Sequence, residues 1–285
     1  MNELRVNHVL MPVDLGHSSE AALRCAQTLV SALGAKLTLM YVNDALTLQS
    51  YDEIYTGYRE LPEEQEDLME DAVRQWAHPI IGRVPYDVIV VADDPVRGIA
   101  TAAARHEADL IIMGTHARHG LQRFFGGSLA EAVLHHTDRP VLTVPQTAET
   151  RLADIVCPVN FTEVAQRAAR AACCMSRAVG SRLHMVHVAG HSEPDLAQRL
   201  RSWTGGILSP ECEVAEIIVR GGTAAERIVQ YAGDVNADVI VLGAQRRRHG
   251  ERAAVGTTTE AIMRISPTAV MSVVRPMTDA NISAA

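Results

Sequence analysis

Residues 108–128 read ADLIIMGTHARHGLQRFFGGS, and residues 237–257 read ADVIVLGAQRRRHGERAAVGT with the same internal spacing. Each opens with a short apolar run (Leu110 to Met113, Val239 to Leu242) of the kind that forms a buried parallel strand. A glycine follows at once, Gly114 or Gly243, where the lack of a Cβ lets backbone approach a ligand closely. A later glycine with a hydroxyl residue, Gly127-Ser128 or Gly256-Thr257, leads into a helical stretch, and a helix N-terminus offers free N–H groups to an anion. The chain therefore writes strand, phosphate-type loop and helix twice.

The duplication extends beyond these segments. Displacing the sequence by 146 residues lays Met11-Pro12-Val13-Asp14 on Cys157-Pro158-Val159-Asn160 and Gly34 on Gly180, and displacing it by 129 lays Ala108-Asp109 on Ala237-Asp238 and Glu131 on Glu260. The two displacements differ because the first copy carries extra residues between about Asp44 and Tyr86. Two homologous domains fit this pattern, whereas a solenoid repeats every ~20–50 residues. The expected division is 1–147, with an insertion near 45–80, then 152–276 and a tail 277–285.

Within the first copy, Val9 to Val13, Leu37 to Val42, Val88 to Ala92, Leu110 to Met113 and Val141 to Val144 read as strands. Between them, Ser18 or Ser19 is placed to cap a helix ending at Gly34, Val96 to His106 is Ala-rich, and Ser128 opens a helix to His136. The second copy repeats the order with strands near Ile155, Met185, Ile217, Val239 and Val270. Alternation of this kind predicts an α/β fold: two tandem doubly wound domains, each with a five-stranded, mainly parallel sheet flanked by helices and with ligands at the carboxyl ends of the strands.

With 285 residues, each half is long enough for its own core, and 47% apolar residues exclude a disordered chain. A formal net charge of −8 argues against general nucleic-acid binding. No run approaches the ~20 apolar residues of a membrane span, and the first ten residues lack the order of a signal peptide, so the expected location is cytoplasmic. Cys25, Cys157, Cys173, Cys174 and Cys212 show no C-x-x-C spacing and read as thiols in a reducing compartment.

These residues give the chain a resemblance to a tandem universal stress protein, a family whose domains carry an acid after strand 1 and G-x2-G-x9-G-[ST] after strand 4. In the first copy Asp14, Gly114, Gly127 and Ser128 match, and Ala117 stands at the second glycine. What the resemblance implies is ATP, ADP or AMP, with or without Mg²⁺, bound in the first half. Asp14 would meet ribose or adenine beside Pro12 and Val13, Val42 would lie against the base, and Met113, Gly114, Ala117, Arg118, Gly127, Ser128 and Leu129 would surround the phosphates. The second copy departs from the pattern, with Asn160 for the acid and Arg246 for the second glycine, while Gly243, Gly256 and Thr257 remain, so its site is expected to be weaker or empty. The resemblance also implies pairing of domains through their last strands, within one chain or between two, and a protein partner whose identity the sequence does not carry.

Other constellations in the chain carry less weight. Asp93-Asp94 with Asp14 invites a phosphoacceptor domain, but that chemistry needs a lysine after the last strand and Arg139 to Pro145 has none; a turn into the next helix is the simpler reading. His116, His119, His135 and His136 lack a recognisable metal-ligand set, and the basic run Arg246 to Arg248 reads as a solvated loop. The acidic insertion carries Tyr51, Tyr55 and Tyr58, either as a lid or as packing for a longer helix. No nucleophile with an identifiable base and no P-loop lysine is present, so a dedicated enzyme is not expected. The leading expectation is a nucleotide-responsive binding module in stress response; the alternatives are an interaction protein without nucleotide and a slow ATP hydrolase.

Overall fold

The computed structural model describes residues 6–43, 63–115, 129–148, 151–190, 195–249 and 252–274. The chain divides between Thr147 and Ala148 into two compact units. In the first, strands and helices alternate as β1 (His8–Val13), α1 (His17–Leu33), β2 (Lys36–Val42), α2 (Glu63–Ile81), β3 (Asp87–Val91), α3 (Pro95–Arg105), β4 (Leu110–Thr115), α4 (Leu129–His136) and β5 (Val141–Pro145). The sheet runs in the order β3-β2-β1-β4-β5, and its pairs are parallel. Val9, Leu10, Met11, Leu37, Ile111 and Val141 are fully enclosed, as expected where helices cover both faces of a parallel sheet.

The second unit repeats the plan with β6 (Asp154–Pro158), α5 (Glu163–Val179), β7 (Arg182–Ala189), α6 (Leu196–Ile207), β8 (Val214–Arg220), α7 (Ala224–Asp234), β9 (Val239–Ala244), β10 (Arg246–His249), β11 (Arg252–Val255), α8 (Thr257–Ile265) and β12 (Ala269–Val274). Its parallel strands lie in the order β12-β9-β6-β7-β8. The expected strands all form, and each half has the doubly wound order in which the first strand lies in the middle of the sheet.

Two local expectations are corrected, and a third falls partly outside the described residues. Helix α1 starts at His17, with Gly16 at its N-cap and no side-chain cap; Ser18 and Ser19 lie inside its first turn and are buried. The helix does end at Gly34, which sits in the left-handed region at φ 64°. Arg246 to Arg248 do not form an irregular loop: the backbone of β10 pairs antiparallel with β11, Arg246 opposite Val255 and His249 opposite Arg252. In the insertion, α2 occupies Glu63–Ile81, whereas Tyr51, Tyr55 and Tyr58 lie outside the described residues.

The amino ends of both sheets share a device. Asp109 Oδ2 accepts the backbone N–H groups of Asn7 and His8 at 2.8 and 3.1 Å. Asp238 Oδ2 accepts those of Ala153 and Asp154 at 2.6 and 3.0 Å. Each aspartate precedes the fourth strand of its unit and pins the first, which accounts for the Ala-Asp pair common to the two copies.

Candidate functional site

In an open sheet of this order the chain reverses its winding direction beside the first strand, and the carboxyl ends of the strands diverge there into a crevice. In the first unit that point lies between β1 and β4, which pair through Val9 with Leu110 and Leu10 with Ile111. Pro12, Val13 and Asp14 leave β1 at its rim; Met113, Gly114 and Thr115 end β4, and Val42 ends β2 next door. Leu129, the last expected residue of this half within the described chain, is the exposed first residue of α4. Ala117, Arg118, Gly127 and Ser128 lie outside the described residues, as do His116 and His119.

Asp14 is exposed and held in a defined orientation. Its Oδ1 accepts the Gly16 N–H at 2.9 Å and the Ser19 hydroxyl at 2.6 Å, and its own N–H donates to Ser19 Oγ at 3.1 Å. The intervening Leu15 takes φ 58°, a conformation L-residues adopt at a cost, so the turn is fixed by the carboxylate rather than by glycine. Ser19, read from sequence as a helix cap, instead clamps the acid.

The second unit repeats this turn with different atoms. Asn160 Oδ1 accepts the Thr162 hydroxyl at 2.6 Å and its N–H at 3.3 Å, Phe161 takes φ 61°, and Thr162 caps α5 by accepting from the Ala165 N–H. The turn is thus preserved when the charge is lost, because an amide oxygen accepts the same bonds.

Gly114 and Gly243 are small for a reason that sequence reading missed. A Cβ on Gly114 would stand 2.3 Å from the Ser18 carbonyl oxygen and 2.9 Å from the Ser19 nitrogen; one on Gly243 would stand 2.7 Å from the Val164 carbonyl. In both copies the helix after the first strand, α1 or α5, packs its first turn directly on the end of the fourth strand, and the glycine makes room for that backbone. Gly256 differs: among the described residues an added Cβ would meet only the Gln245 carbonyl oxygen, at an ordinary 3.9 Å.

Around Asn160 the second unit gathers aromatic side chains from three elements. The Phe161 and His187 rings lie 4.8 Å apart, Trp203 meets Phe161 edge-on at 5.7 Å, and the Arg199 guanidinium stands 4.2 Å over the Phe161 ring. The residue matching Phe161 in the first unit is Leu15, and the one matching His187 is Tyr41. Phe161, His187 and Trp203 are too far apart in sequence for any local pattern to have joined them.

The Asp93-Asp94 pair resolves into structure. Asp94 caps α3 by accepting the Arg97 N–H at 3.0 Å, while buried Asp93 accepts from the Asp94 N–H and pairs with the Arg97 side chain. His136, in the last turn of α4, bonds the Ala132 carbonyl through Nδ1.

Fold and crevice together define a duplicated, doubly wound α/β protein with one intact and one altered copy of the same strand-end turn. The universal stress protein family model matches residues 5–145 and again 153–274, and the chain belongs to that family. A universal stress protein of Synechocystis is 26% identical over 147 residues, which cover 48% of this chain and 96% of that protein. Among solved structures, a universal stress protein from Archaeoglobus fulgidus has a TM-score of 0.74 at 24% identity, covering 95% of this chain and 100% of its own. A functionally unknown protein from Pseudomonas aeruginosa has a TM-score of 0.59 at 15% identity, covering 99% of this chain and 96% of its own. At these identities the two structures establish a shared fold.

Proposed function

We propose that this protein is a cytoplasmic adenine-nucleotide-binding module whose first half holds ATP, ADP or AMP, with or without Mg²⁺, and whose nucleotide-dependent conformation is read by a protein partner under stress. The observation that carries the proposal is the convergence of an oriented, exposed carboxylate at Asp14 with the ends of β2 and β4 at the point where the sheet reverses its winding. Asp14 offers an acceptor to a ribose hydroxyl or the adenine amine, Pro12, Val13 and Val42 offer apolar surface to the base, and backbone N–H groups from Met113 through Ala117 and from Gly127 to Leu129 suit phosphate oxygens. Arg118 supplies the countercharge.

The second half binds weakly or not at all in this reading. Asn160 removes the charge, Arg246 begins the β10 strand between Gly243 and the Gly256-Thr257 helix start, and Phe161, next to Asn160, is packed by His187, Trp203 and Arg199.

The test is to denature freshly purified protein without added nucleotide, separate the supernatant by ion exchange, and titrate stripped protein with ATP and Mg²⁺ in a calorimeter. Wild type is compared with Gly127→Arg and Asp14→Ala. About one equivalent per chain, lost in both variants, is the expected result. Two equivalents would overturn the asymmetry between halves, and no released nucleotide with no heat of ATP binding would overturn the nucleotide reading.

A further inference from the structure

The second unit holds a pair of thiols outside the nucleotide crevice. Cys173 lies on α5 and is 5% exposed; Cys212 lies in the turn between α6 and β8 and is 9% exposed. The Cys212 thiol is in hydrogen-bond contact with Cys173 and with Ser176, one turn further along α5, and Arg177 lends a nearby positive charge. Arg177 also forms an ion pair with Glu211, the residue before Cys212, and the turn is braced by the Cys212 N–H donating to the Ser209 carbonyl at 3.0 Å. Two elements far apart in sequence therefore meet through a dithiol, a hydroxyl and an ion pair, under a turn whose Pro210 and Glu211 are exposed to solvent.

We propose that Cys173 and Cys212 are a redox modification site, oxidised by hydroperoxides to a reversible disulfide that fastens the α6–β8 turn to α5. The chemistry follows from the cluster. Contact with Cys173 and burial push the Cys212 thiol up, outweighing the opposing influence of Ser176 and Arg177, so Cys212 is the resolving thiol and Cys173 the first nucleophile. The Cys173 thiolate attacks a peroxide oxygen, the O–O bond breaks, and water or an alcohol leaves, giving a sulfenic acid. Cys212 then loses its proton, its sulfur attacks the sulfenic sulfur, and the hydroxyl departs as water. Two electrons pass from the dithiol to the peroxide, and two thiols with hydrogen peroxide yield one disulfide and two waters. Buried Cys157, whose thiol is raised by burial alone, has no such partner chemistry in its surroundings and serves as an internal reference.

The experiment treats folded full-length protein with hydrogen peroxide, alkylates the remaining thiols after denaturation, and maps tryptic peptides without reduction. The expected product joins peptide 171–177 to peptide 202–220 within one chain, forms at least about tenfold faster than any modification of Cys157, and disappears on treatment with dithiothreitol. Because the first peptide also contains Cys174, the mapping is repeated on Cys174→Ser, which should keep the link, and on Cys212→Ser, which should lose it and accumulate sulfenic acid at Cys173. A link through Cys174, a link between chains, or complete alkylation of Cys173 and Cys212 after the same exposure would overturn the proposal.

Discussion

Substituting Gly114 by alanine separates helix packing from ligand approach as the reason for the glycine after β4. The added Cβ would lie 2.3 Å from the Ser18 carbonyl oxygen, 2.5 Å from its carbon and 2.9 Å from the Ser19 nitrogen. All three are backbone, so no rotamer change relieves the contact; the first turn of α1 must retreat by about 1 Å to restore an ordinary separation, which places the cost at the upper end of overpacking, ~3 kcal/mol. Alanine recovers roughly 0.5–1 kcal/mol of chain entropy in the unfolded state, leaving a net loss of about 2–3 kcal/mol. For a unit of this size that lowers the melting temperature by roughly 6–10 °C. Each half contains one tryptophan, Trp76 on α2 and Trp203 on α6, so urea unfolding of the first half can be followed by Trp76 emission in a Trp203→Phe background. Should Gly114→Ala unfold with the parent's midpoint, the packing argument is wrong; loss of nucleotide binding at unchanged stability would return the glycine to the ligand.

Three further outcomes test the framework. Burial pushes the Asp154 carboxyl up, but its bonds to Arg182 and His184 overcome this and hold it below the usual range; stability from it is therefore present above about pH 4 and lost as pH falls through the lowered value, so Asp154→Asn should flatten the acid limb of second-half unfolding monitored by Trp203. Asp109→Ala removes the acceptor for two backbone N–H groups and should cost ~1–3 kcal/mol, with faster hydrogen exchange at the Asn7 and His8 amides; unchanged exchange would deny the pinning role. Exposed Glu107 sits at φ 52°, so Glu107→Gly should stabilise the first half by about 0.5–1 kcal/mol in the same urea assay.

Strands were legible from the sequence because a parallel strand buried on both faces must be apolar along its length, as in Leu110 to Met113 and Val141 to Val144. Helix ends with a chemical signature are legible because one residue type fits them: Gly34 at a left-handed C-cap and Asp94-Pro95 at an N-cap followed by proline. Reading failed where the cause lay across space. Gly114 and Gly243 look like ligand contacts because the residues that fill their missing Cβ volume, Ser18 and Val164, lie far away in sequence. Ser19 looked like a cap because its bond to Asp14 requires the left-handed Leu15, which no residue type announces. Asp109 and Asp238 carry a usable signal, identical at matched positions of both copies, although only the folded chain brings them to the first strand. Phe161, His187 and Trp203 carried none, since they meet only once β6, β7 and α6 are assembled.

The aspartate that pins the first strand also sets a schedule for biosynthesis. Asn7 and the Asp109 that holds it are 102 positions apart, and β1 occupies the middle of its sheet, so β1 waits until β4 is made before it has both neighbours. At ~5–20 residues per second, the interval before Asp109 is made is roughly 5–20 s, during which an enclosed strand such as Val9-Leu10-Met11 is exposed. The second half imposes a shorter wait, its own clip spanning 85 positions, and it starts only after the first can close. A nascent chain of this design therefore calls for shielding of its N-terminal apolar segment early in translation, and a truncated product ending before Asp109 is the species most exposed to aggregation.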